Sequence, residues 1–357
     1  MLKISRQNFS RTIRGEAIEL YILDNGKMRV GITNYGGAIV SILVPDQDGQ
    51  YDDVVLGFDN GNAYCRHTGY LGAIIGRFGN RIAQGRFELD GRHYQLQCNN
   101  GSNHLHGGKE GFDRKVWQAK IANHPDSPFL CLSYRSLDGE EGFPGNLDVT
   151  VIYSLTAENR LCLDYRAVSD KTTIVNLTNH TYFNLAGHNR GSILKHLLKI
   201  DSDFYLPVDH EVLPTGEIRQ VAGTPFDFRD FRPIGERIEA SDASLTNAGG
   251  YDCNFVLHQP EKSDSLPRVC EVVEPESQRM LRVYTDKPGL QFYSGNFLDG
   301  TLVGKGGVPY IKHQGFCLET QFFPDSINWP HFPSPRLDPG DVYRFRTEYE
   351  FSNRLLE

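Results

Sequence analysis

The stretch that decides the fold class is RFELDGRHYQL, residues 86–96. Two segments of alternating apolar and polar residues flank Asp90-Gly91, a dipeptide that tolerates the positive φ angles of a tight hairpin turn. Alternation with a period of two places apolar side chains on one face of a strand and polar side chains on the other. The stretch therefore predicts a β-hairpin with strands at 86–89 and 92–96.

Short alternating segments recur on both sides of this hairpin. Few windows hold a helical apolar stripe for three turns, so the chain is predicted to be all-β. Many strands require stacked sheets, because one open sheet of such size would curl or split. Helix is expected only at 234–240 and in a turn after Asp59, and surface loops are expected at 123–127 and 258–267. The other strand candidates are 17–23, 28–33, 38–44, 116–121, 129–134, 147–155, 161–168, 172–178, 280–285, 290–294 and 343–351.

Length and charge exclude several classes of protein. The 357 residues include 37 Lys and Arg against 45 Asp and Glu, with a formal net charge of -8 and 39% hydrophobic residues. This composition is typical of a soluble globular protein, and the length allows one large β-sandwich or two fused ones. No run of basic residues could neutralise a phosphate backbone, so we expect no nucleic-acid partner. The longest strongly apolar stretch, 38–44, is far shorter than the roughly 18 residues of a membrane span, so we expect no membrane insertion.

The N-terminus and the cysteines indicate the compartment. Residues 1–10 lack the apolar core and cleavage site of a secretory signal peptide, so we expect a cytoplasmic protein. The 7 cysteines are odd in number, scattered, and never in a CxxC pair. This pattern argues against a disulfide framework and against a thiolate zinc site. We expect reduced cysteines that mostly serve as packing groups.

The segment His104-Leu105-His106 raises the question of a metal site. Alternate strand residues face the same side, so the two imidazoles could share an ion. The segment resembles part of the cupin metal motif, but Cys98 stands where that motif has Gly, and residues 180–184 lack the Pro and Gly that precede its second half. We therefore expect no metal. His104 is interpreted as a structural hydrogen-bonding residue, and His106 as functional, because the two glycines after it allow a ligand to approach the backbone.

Other polar clusters interrupt the apolar strands, and each has a simple structural explanation. An isolated Asn80-Arg81 pair is most simply a turn with a salt bridge, and Asp252, which follows Gly249-Gly250-Tyr251, could form a turn through its own side chain. Glu319 lies in a strand-like run, where a carboxylate is either an edge charge or a placed base. Because a β-sandwich collects functional groups on one face or loop edge, these distant clusters could converge.

A lone histidine such as His180 is more often a satisfied core residue than a functional one. Its neighbours favour function, because Asn179, Tyr182 and Asn184 offer hydrogen-bonding groups and a ring face that suit a polyol. The residues alone thus leave both interpretations open.

Taken in order, these clusters resemble the aldose 1-epimerases, also called galactose mutarotases. Any one motif is weak evidence, but the ordered set is highly specific and runs from about Gly36 to the C-terminus. The matching segments are Gly76-Arg77 with residues 80–83, 105–108 with 111–113, 142–145, 179–180 with 182–185, 205–209, 223–228, 250–252, 291–296 and 318–321.

The resemblance implies a fold, an activity and a set of site residues. It implies one β-sandwich domain over residues 1–357, a galactose mutarotase-like supersandwich with few short helices, and no cofactor. The implied reaction interconverts the α and β anomers of hexoses such as galactose and glucose, and the expected partner is a small-molecule hexose bound by a monomer or weak homodimer. By position, His180 corresponds to the general acid and Glu319 to the general base. The corresponding sugar-binding groups are Asn80, Arg81, His106, Tyr182, Asp252 and Gln291.

This chemistry requires an acid and a base that act together. The C1 hydroxyl loses its proton while the ring oxygen gains one, and the ring then closes on the other face of the carbonyl carbon. Ordinary pKa values of about 4.3 for Glu and 6.5 for His predict a carboxylate at Glu319 and an imidazolium at His180 between those values.

Two other classes of protein remain open at this stage. In a glycoside hydrolase, Asp252 and Glu319 would form the paired carboxylates that flank the scissile bond. A non-catalytic carbohydrate-binding module would need aromatic and polar groups but no acid–base pair. The presence of His180 together with Glu319 favours the epimerase.

Overall fold

The computed structural model describes residues 2–66, 69–122, 128–258 and 265–353. The loop predicted at 123–127, and residues 259–264 of the loop predicted at 258–267, lie outside the described residues. The helices are α1 (Gly61–Arg66) and α2 (Ala243–Ala248), and the 3-10 turns are Ala83–Gly85, Phe112–Arg114, Glu140–Gly142, Ile234–Glu236, Lys305–Gly307 and Ser326–Asn328. None of the helices in the described ranges is long and apolar enough to cross a membrane.

Strands dominate the described part of the chain. In order they are β1 (Lys3–Arg11), β2 (Ala17–Asp24), β3 (Arg29–Thr33), β4 (Ile39–Pro45), β5 (Tyr51–Asp53), β6 (Ile74–Ile75), β7 (Arg81–Ile82), β8 (Arg86–Leu89), β9 (Arg92–Gln95), β10 (His104–Leu105), β11 (Gln118–Ala122), β12 (Phe129–Ser136), β13 (Leu147–Leu155), β14 (Arg160–Ser169), β15 (Thr173–Ile174), β16 (Thr178–Asn179), β17 (Tyr182–Phe183), β18 (Leu197–Ile200), β19 (Phe204–Tyr205), β20 (Arg219–Gln220), β21 (Arg232–Pro233), β22 (Asp252–Val256), β23 (Arg268–Val273), β24 (Met280–Thr285), β25 (Gly289–Tyr293), β26 (Asp299–Val303), β27 (Pro309–Ile311), β28 (Phe316–Gln321), β29 (Arg336–Leu337) and β30 (Tyr343–Ser352).

Two large antiparallel sheets form the body of the molecule. A nine-stranded sheet has the order β11-β12-β13-β14-β30-β24-β23-β18-β21, and a six-stranded sheet has the order β17-β28-β25-β22-β19-β20. A five-stranded sheet, β1 to β5 in sequence order, adds a meander from the N-terminal part of the chain. The chain is thus an all-β protein with stacked sheets, as predicted.

The two large sheets share one hydrophobic core. Strand β13 (LDVTVIYSL) buries every second residue, which gives it one core face and one partly exposed face. Its Val151 belongs to the same buried cluster as Phe292 of β25 and Leu318 of β28 in the other sheet. Packing between alternating apolar faces is the arrangement of a β-sandwich. The second face of the six-stranded sheet is therefore available for other groups.

The hairpin predicted at 86–96 is confirmed. Strands β8 and β9 pair, and Asp90 and Gly91 both adopt positive φ angles, 51° and 74°. Phe87 and Leu89 on its apolar face pack with Phe143 in a small separate core. The turn dipeptide thus determines the register of the hairpin, as expected for a two-residue loop.

The helix predictions are only partly correct. The turn after Asp59 leads into α1, but residues 234–240 contain only the 3-10 turn Ile234–Glu236, so that helix prediction is wrong. The second helix is α2, which begins after the N-cap Asp242 and ends at Gly249, whose φ angle of 68° is left-handed. This helix has only 6 residues, fewer than two turns, so it is too short to show an apolar periodicity.

Some strand predictions also change. The segment 172–178 divides into β15 and β16, which pair with different strands, β29 and β6. Strands β22, β23 and β28 are absent from the predicted set. Nearly all their residues are buried on both faces, so the alternation that marks a half-exposed strand is missing.

Candidate active site

The candidate site lies on the face of the six-stranded sheet opposite to the shared core. In β28, Leu318 packs in the core, whereas Cys317 and Glu319 turn to the other face. Strand register places Gln291 of β25 beside Glu319, and Asn254 of β22 beside Gln291. Three central strands thus bring a row of polar side chains to one face of the sheet.

A cavity of about 310 Å³ opens on this face. Its volume lies within the range of small-molecule binding sites, roughly 300–1,000 Å³. It brings together all of the predicted site residues except Gln291, although their segments are distant in sequence. The lining residues are Gly69, Tyr70, Asn80, Arg81, Leu105, His106, His180, Tyr182, Asp252, Tyr293, Phe297, Leu298, Asp299, Thr301, Leu302 and Glu319.

Gln291 lies behind the cavity wall and holds Asp252. Its Nε2 donates to Oδ1 of Asp252 at 2.7 Å, and the other carboxylate oxygen lies 3.9 Å from Nη1 of Arg81. The Arg81 Nε donates to Oδ1 of Asn100 at 3.2 Å. Burial raises the pKa of Asp252, while the Arg81 charge and the Gln291 hydrogen bond oppose that rise. A carboxylate and a guanidinium are therefore held side by side at the wall.

Two left-handed residues place His106 in the cavity. His106 and Asn80 have φ angles of 53° and 65°, and they follow and precede the paired short strands β10 and β7. The backbone N–H of Asn80 donates to Nδ1 of His106 at 3.1 Å, and the N–H of His106 donates to the carbonyl of Asn80 at 3.2 Å. Because Nδ1 accepts a hydrogen bond, a neutral His106 carries its proton on Nε2. Burial and the neighbouring His180 keep the pKa of His106 well below its usual range.

His180 and Glu319 form a buried pair at the floor of the cavity. His180 is held between β16 and β17, where its N–H donates to the Ala73 carbonyl at 2.9 Å. Its Nε2 lies 3.6 Å from Oε1 of Glu319, and both side chains are almost fully buried. The Tyr70 ring stacks on His180 with 5.8 Å between ring centroids, and Tyr182 lies 5.0 Å away. The second Glu319 oxygen, Oε2, has no hydrogen-bond partner among the described residues.

Burial shifts the two pKa values of this pair in opposite directions. It lowers the pKa of His180 to about 4 and raises the pKa of Glu319 well above its usual range. The negative charge of Asp252 raises the Glu319 pKa further, whereas Arg81 lowers it. The expectation of a carboxylate and an imidazolium between about pH 4.3 and 6.5 is therefore wrong for the free protein. Between its two pKa values the pair instead holds one proton, on the carboxyl.

Three residues singled out in the sequence, His104, Asn179 and Asn184, have structural roles. His104 donates from Nδ1–H to the Gln97 carbonyl, 2.8 Å away, and does not line the cavity, in agreement with the structural role interpreted from the sequence. Asn179 donates to the Gly72 carbonyl at 2.7 Å and accepts from Thr181. Asn184 donates to the carbonyls of Gly191 and Gln314 and accepts from Ala186. The suggestion that Asn179 and Asn184 face a polyol is wrong, because neither lines the cavity and their amides are bonded to backbone groups and, for Asn179, to the Thr181 hydroxyl.

One group of side chains could hold a metal ion. His106, His180 and Glu319 each offer a ligand atom, and these atoms lie within 4.8 Å of one another. Two imidazoles and one carboxylate are a donor set that suits Zn²⁺. The segment His104-Leu105-His106 does not supply this set on its own, because β10 ends at Leu105 and the left-handed His106 departs from the strand.

Several cavity residues gave no signal in the sequence. Tyr70 has a left-handed φ of 55° and contacts both cavity histidines, with 4.7 Å between its ring centroid and that of His106. Phe297, which is 61% exposed and stacks on Tyr293, also lines the cavity, as do residues of β26, the strand that pairs with β27. The only hint in the sequence that Tyr70 lies near a binding site is its position between two glycines, Gly69 and Gly72.

The seven cysteines are all free. Four of them are buried, including Cys317, whose sulfur lies 3.5 Å from Nδ1 of His180. None of them is paired in a disulfide, and the expectation that they are reduced stays a prediction. Cys317 differs from the rest because it contacts a residue of the cavity.

A buried histidine–carboxylate pair in a polar cavity is an arrangement suited to an enzyme, and comparison with known proteins identifies the class as enzymes that act on carbohydrates. The aldose 1-epimerase family model matches residues 19–350, and the chain belongs to this family. The family model matches from residue 19, whereas the motifs quoted from the sequence begin at about Gly36.

Named relatives agree with this assignment. Galactose mutarotase from Bos taurus is 44% identical over 354 residues, which cover 99% of both chains. Aldose 1-epimerase from Escherichia coli (strain K12) is 42% identical over 334 residues, 93% of this chain and 94% of that one. The crystal structure of galactose 1-epimerase from Lactobacillus acidophilus NCFM superimposes with a TM-score of 0.86 at 29% identity, covering 99% of both chains.

Proposed function

We propose that the protein is an aldose 1-epimerase that interconverts the α and β anomers of hexoses such as galactose and glucose. The observation that carries this proposal is the His180–Glu319 pair, 3.6 Å apart and buried at the floor of a cavity with polyol-binding groups on its walls. Family membership supports the same reaction.

The protonation of the pair suits ring opening. The reaction needs one group that takes the C1 hydroxyl proton and one that gives a proton to the ring oxygen. A pair that shares a single proton supplies both groups at once, and returns to the same state after the ring closes. The one-proton state spans the range between the lowered His180 pKa, about 4, and the raised Glu319 pKa.

We assign His180 as the acid and Glu319 as the base. This assignment requires the shared proton to lie on His180 when the ring opens, whereas burial favours Glu319 in the free protein. A bound sugar brings hydroxyl groups to Glu319, which lines the cavity, and hydrogen bonds to a carboxylate favour its charged form. Substrate binding thus promotes transfer of the proton to His180.

The remaining cavity residues bind the sugar in this proposal. Arg81 and Asp252 offer a donor and an acceptor side by side, and His106 presents an Nε2–H donor. Asn80 and Tyr182 add further hydrogen-bonding groups on the lining. Gln291 contributes through Asp252, whose carboxylate it orients from behind the wall.

We also propose one functional domain over residues 1–357, acting as a monomer or weak homodimer on a free hexose without a cofactor. One hydrophobic cluster joins residues from Tyr21 to Phe351, which supports a single domain. The free cysteines fit a reducing compartment such as the cytoplasm.

Polarimetry tests the reaction directly. Freshly dissolved α-glucose and α-galactose should approach their equilibrium rotation faster with the protein than without it, and Glu319→Gln should abolish most of the acceleration. An aryl galactoside in parallel distinguishes a glycoside hydrolase, because only that enzyme would release the aryl group. Equal rates with and without protein for both sugars would refute the proposal.

A further inference from the structure

The second ring nitrogen of His180 is also in contact with a side chain. Its Nδ1 lies 3.5 Å from Sγ of Cys317, and both residues are buried, at 5% and 0% exposure. The contact is fixed by strand register, because Cys317 of β28 pairs with Tyr182 of β17, two residues after His180, and with Tyr293 of β25. The sulfur is therefore not a mobile neighbour but part of the wall behind the histidine.

The reaction places a requirement on the protonation of this ring. Nε2 faces Glu319 and must both release and accept the exchanged proton. When Nε2 has released it, the neutral ring must keep its other proton on Nδ1. A buried Nδ1–H needs an acceptor, since an unpartnered buried N–H is costly.

We infer that Cys317 is a positioning residue that accepts a hydrogen bond from Nδ1–H of His180 and so keeps Nε2 as the nitrogen that exchanges protons. This inference rests on the proposed function. In a Ser-His-Asp triad, the carboxylate accepts a hydrogen bond from Nδ1–H of the histidine and fixes its tautomer. The Cys317 sulfur would have the same role for His180, but it carries no charge. Burial raises the pKa of Cys317 well above its usual range, so the thiol stays neutral.

A neutral acceptor has a specific advantage at this position. A carboxylate at Nδ1 would raise the histidine pKa and hold the proton on the ring. A thiol is a weak acceptor, so it selects the tautomer without making His180 a poor donor. The ring can then both release and recover the proton within one catalytic cycle.

Three variants test the inference. Cys317→Ser keeps an acceptor, and Cys317→Val removes it while retaining an apolar side chain of similar size. Cys253→Val is the matched control, because Cys253 is a buried cysteine of the same sheet that packs in the core instead. We expect kcat to fall about tenfold in Cys317→Val with KM within twofold, because the lost interaction acts on the chemical step. We expect kcat within about threefold of wild type in Cys317→Ser, and unchanged kcat in Cys253→Val.

A second measurement does not depend on activity. In protein labelled with ¹⁵N-histidine, NMR distinguishes protonated from unprotonated ring nitrogens, and His180→Asn identifies the His180 signals. At neutral pH we expect the proton on Nδ1 in the wild type and a mixture of tautomers in Cys317→Val. A wild-type proton on Nε2, an unchanged tautomer in Cys317→Val, or an equal loss of kcat in Cys253→Val would overturn the inference. A wild-type protein without mutarotase activity would refute the proposed function instead, and the NMR result would still decide the tautomer.

Discussion

The charge of Asp252 should set the alkaline limit of activity. Its carboxylate is the largest charge effect on the pKa of Glu319 after burial, and it raises that pKa, whereas Arg81 lowers it. The substitution Asp252→Asn removes the charge and keeps the shape of the side chain. Arg81, 3.9 Å from the Asp252 carboxylate in the wild type, would then act on Glu319 without an opposing charge nearby. Both effects lower the pKa of Glu319.

The expected size of the shift comes from the general strength of a charge near a buried group. A charge within about 4–6 Å of a buried group shifts its pKa by about 1–3 units. We therefore expect the alkaline limb of kcat/KM to move down by about one unit or more in Asp252→Asn, which corresponds to about 1.4 kcal/mol per unit. The acid limb should stay near pH 4, because burial alone lowers the His180 pKa to about 4 and Asp252 is not among its causes.

The assay is polarimetry of α-glucose across pH, with the uncatalysed rate subtracted at every point. Asp299→Asn is the matched control, because Asp299 lines the same cavity but is exposed, so solvent screens its charge. That variant should move the alkaline limb by less than about 0.3 units. An alkaline limb that stays in place or moves upward in Asp252→Asn would refute the electrostatic account of the pair.

Three further predictions concern other parts of the site. Glu319→Gln should lower kcat by at least about 10²-fold while sugar binding survives, which single-turnover kinetics and calorimetry would show; near-normal activity would remove Glu319 from the mechanism. Arg81→Lys should raise KM because it loses the planar fork that can hold two oxygens, and unchanged kcat and KM would make Arg81 purely structural. Exhaustive chelation should leave activity unchanged, whereas added Zn²⁺ should inhibit in competition with the sugar by binding His106, His180 and Glu319; activity lost on chelation and restored by metal would contradict this.

Local signals in the sequence explain what could be predicted. The Asp90-Gly91 turn and the half-exposed strands such as β13 carry their own patterns, so they were found by period and turn chemistry. Strands β22 and β28 carry no such pattern, because both of their faces are buried. These strands nevertheless hold Asp252 and Glu319, so the two carboxylates were identified by resemblance and not by periodicity.

Convergence in three dimensions explains what could not be predicted. The positions of Tyr70, Phe297 and the β26–β27 hairpin around the cavity depend on packing between segments that are far apart in sequence. Gln291 was expected in the sugar site, but only the register of β25 with β22 shows that its amide meets Asp252. Protonation was mispredicted for a related reason, since ordinary pKa values describe solvated groups and this pair is buried.

The architecture accounts for this difference between ordinary and shifted pKa values. His180 lies between the short strands β16 and β17, whereas Glu319 lies within β28, and the pairing of β17 with β28 holds the two elements together. A buried ion pair at this point would carry a large desolvation cost. The neutral form avoids that cost in the free protein, and in the proposed reaction an arriving sugar supplies the polar contacts that stabilise the charged form. If His180 is the acid and Glu319 the base, as proposed, burial that disfavours the ions in the free protein makes the active protonation state depend on the presence of the substrate.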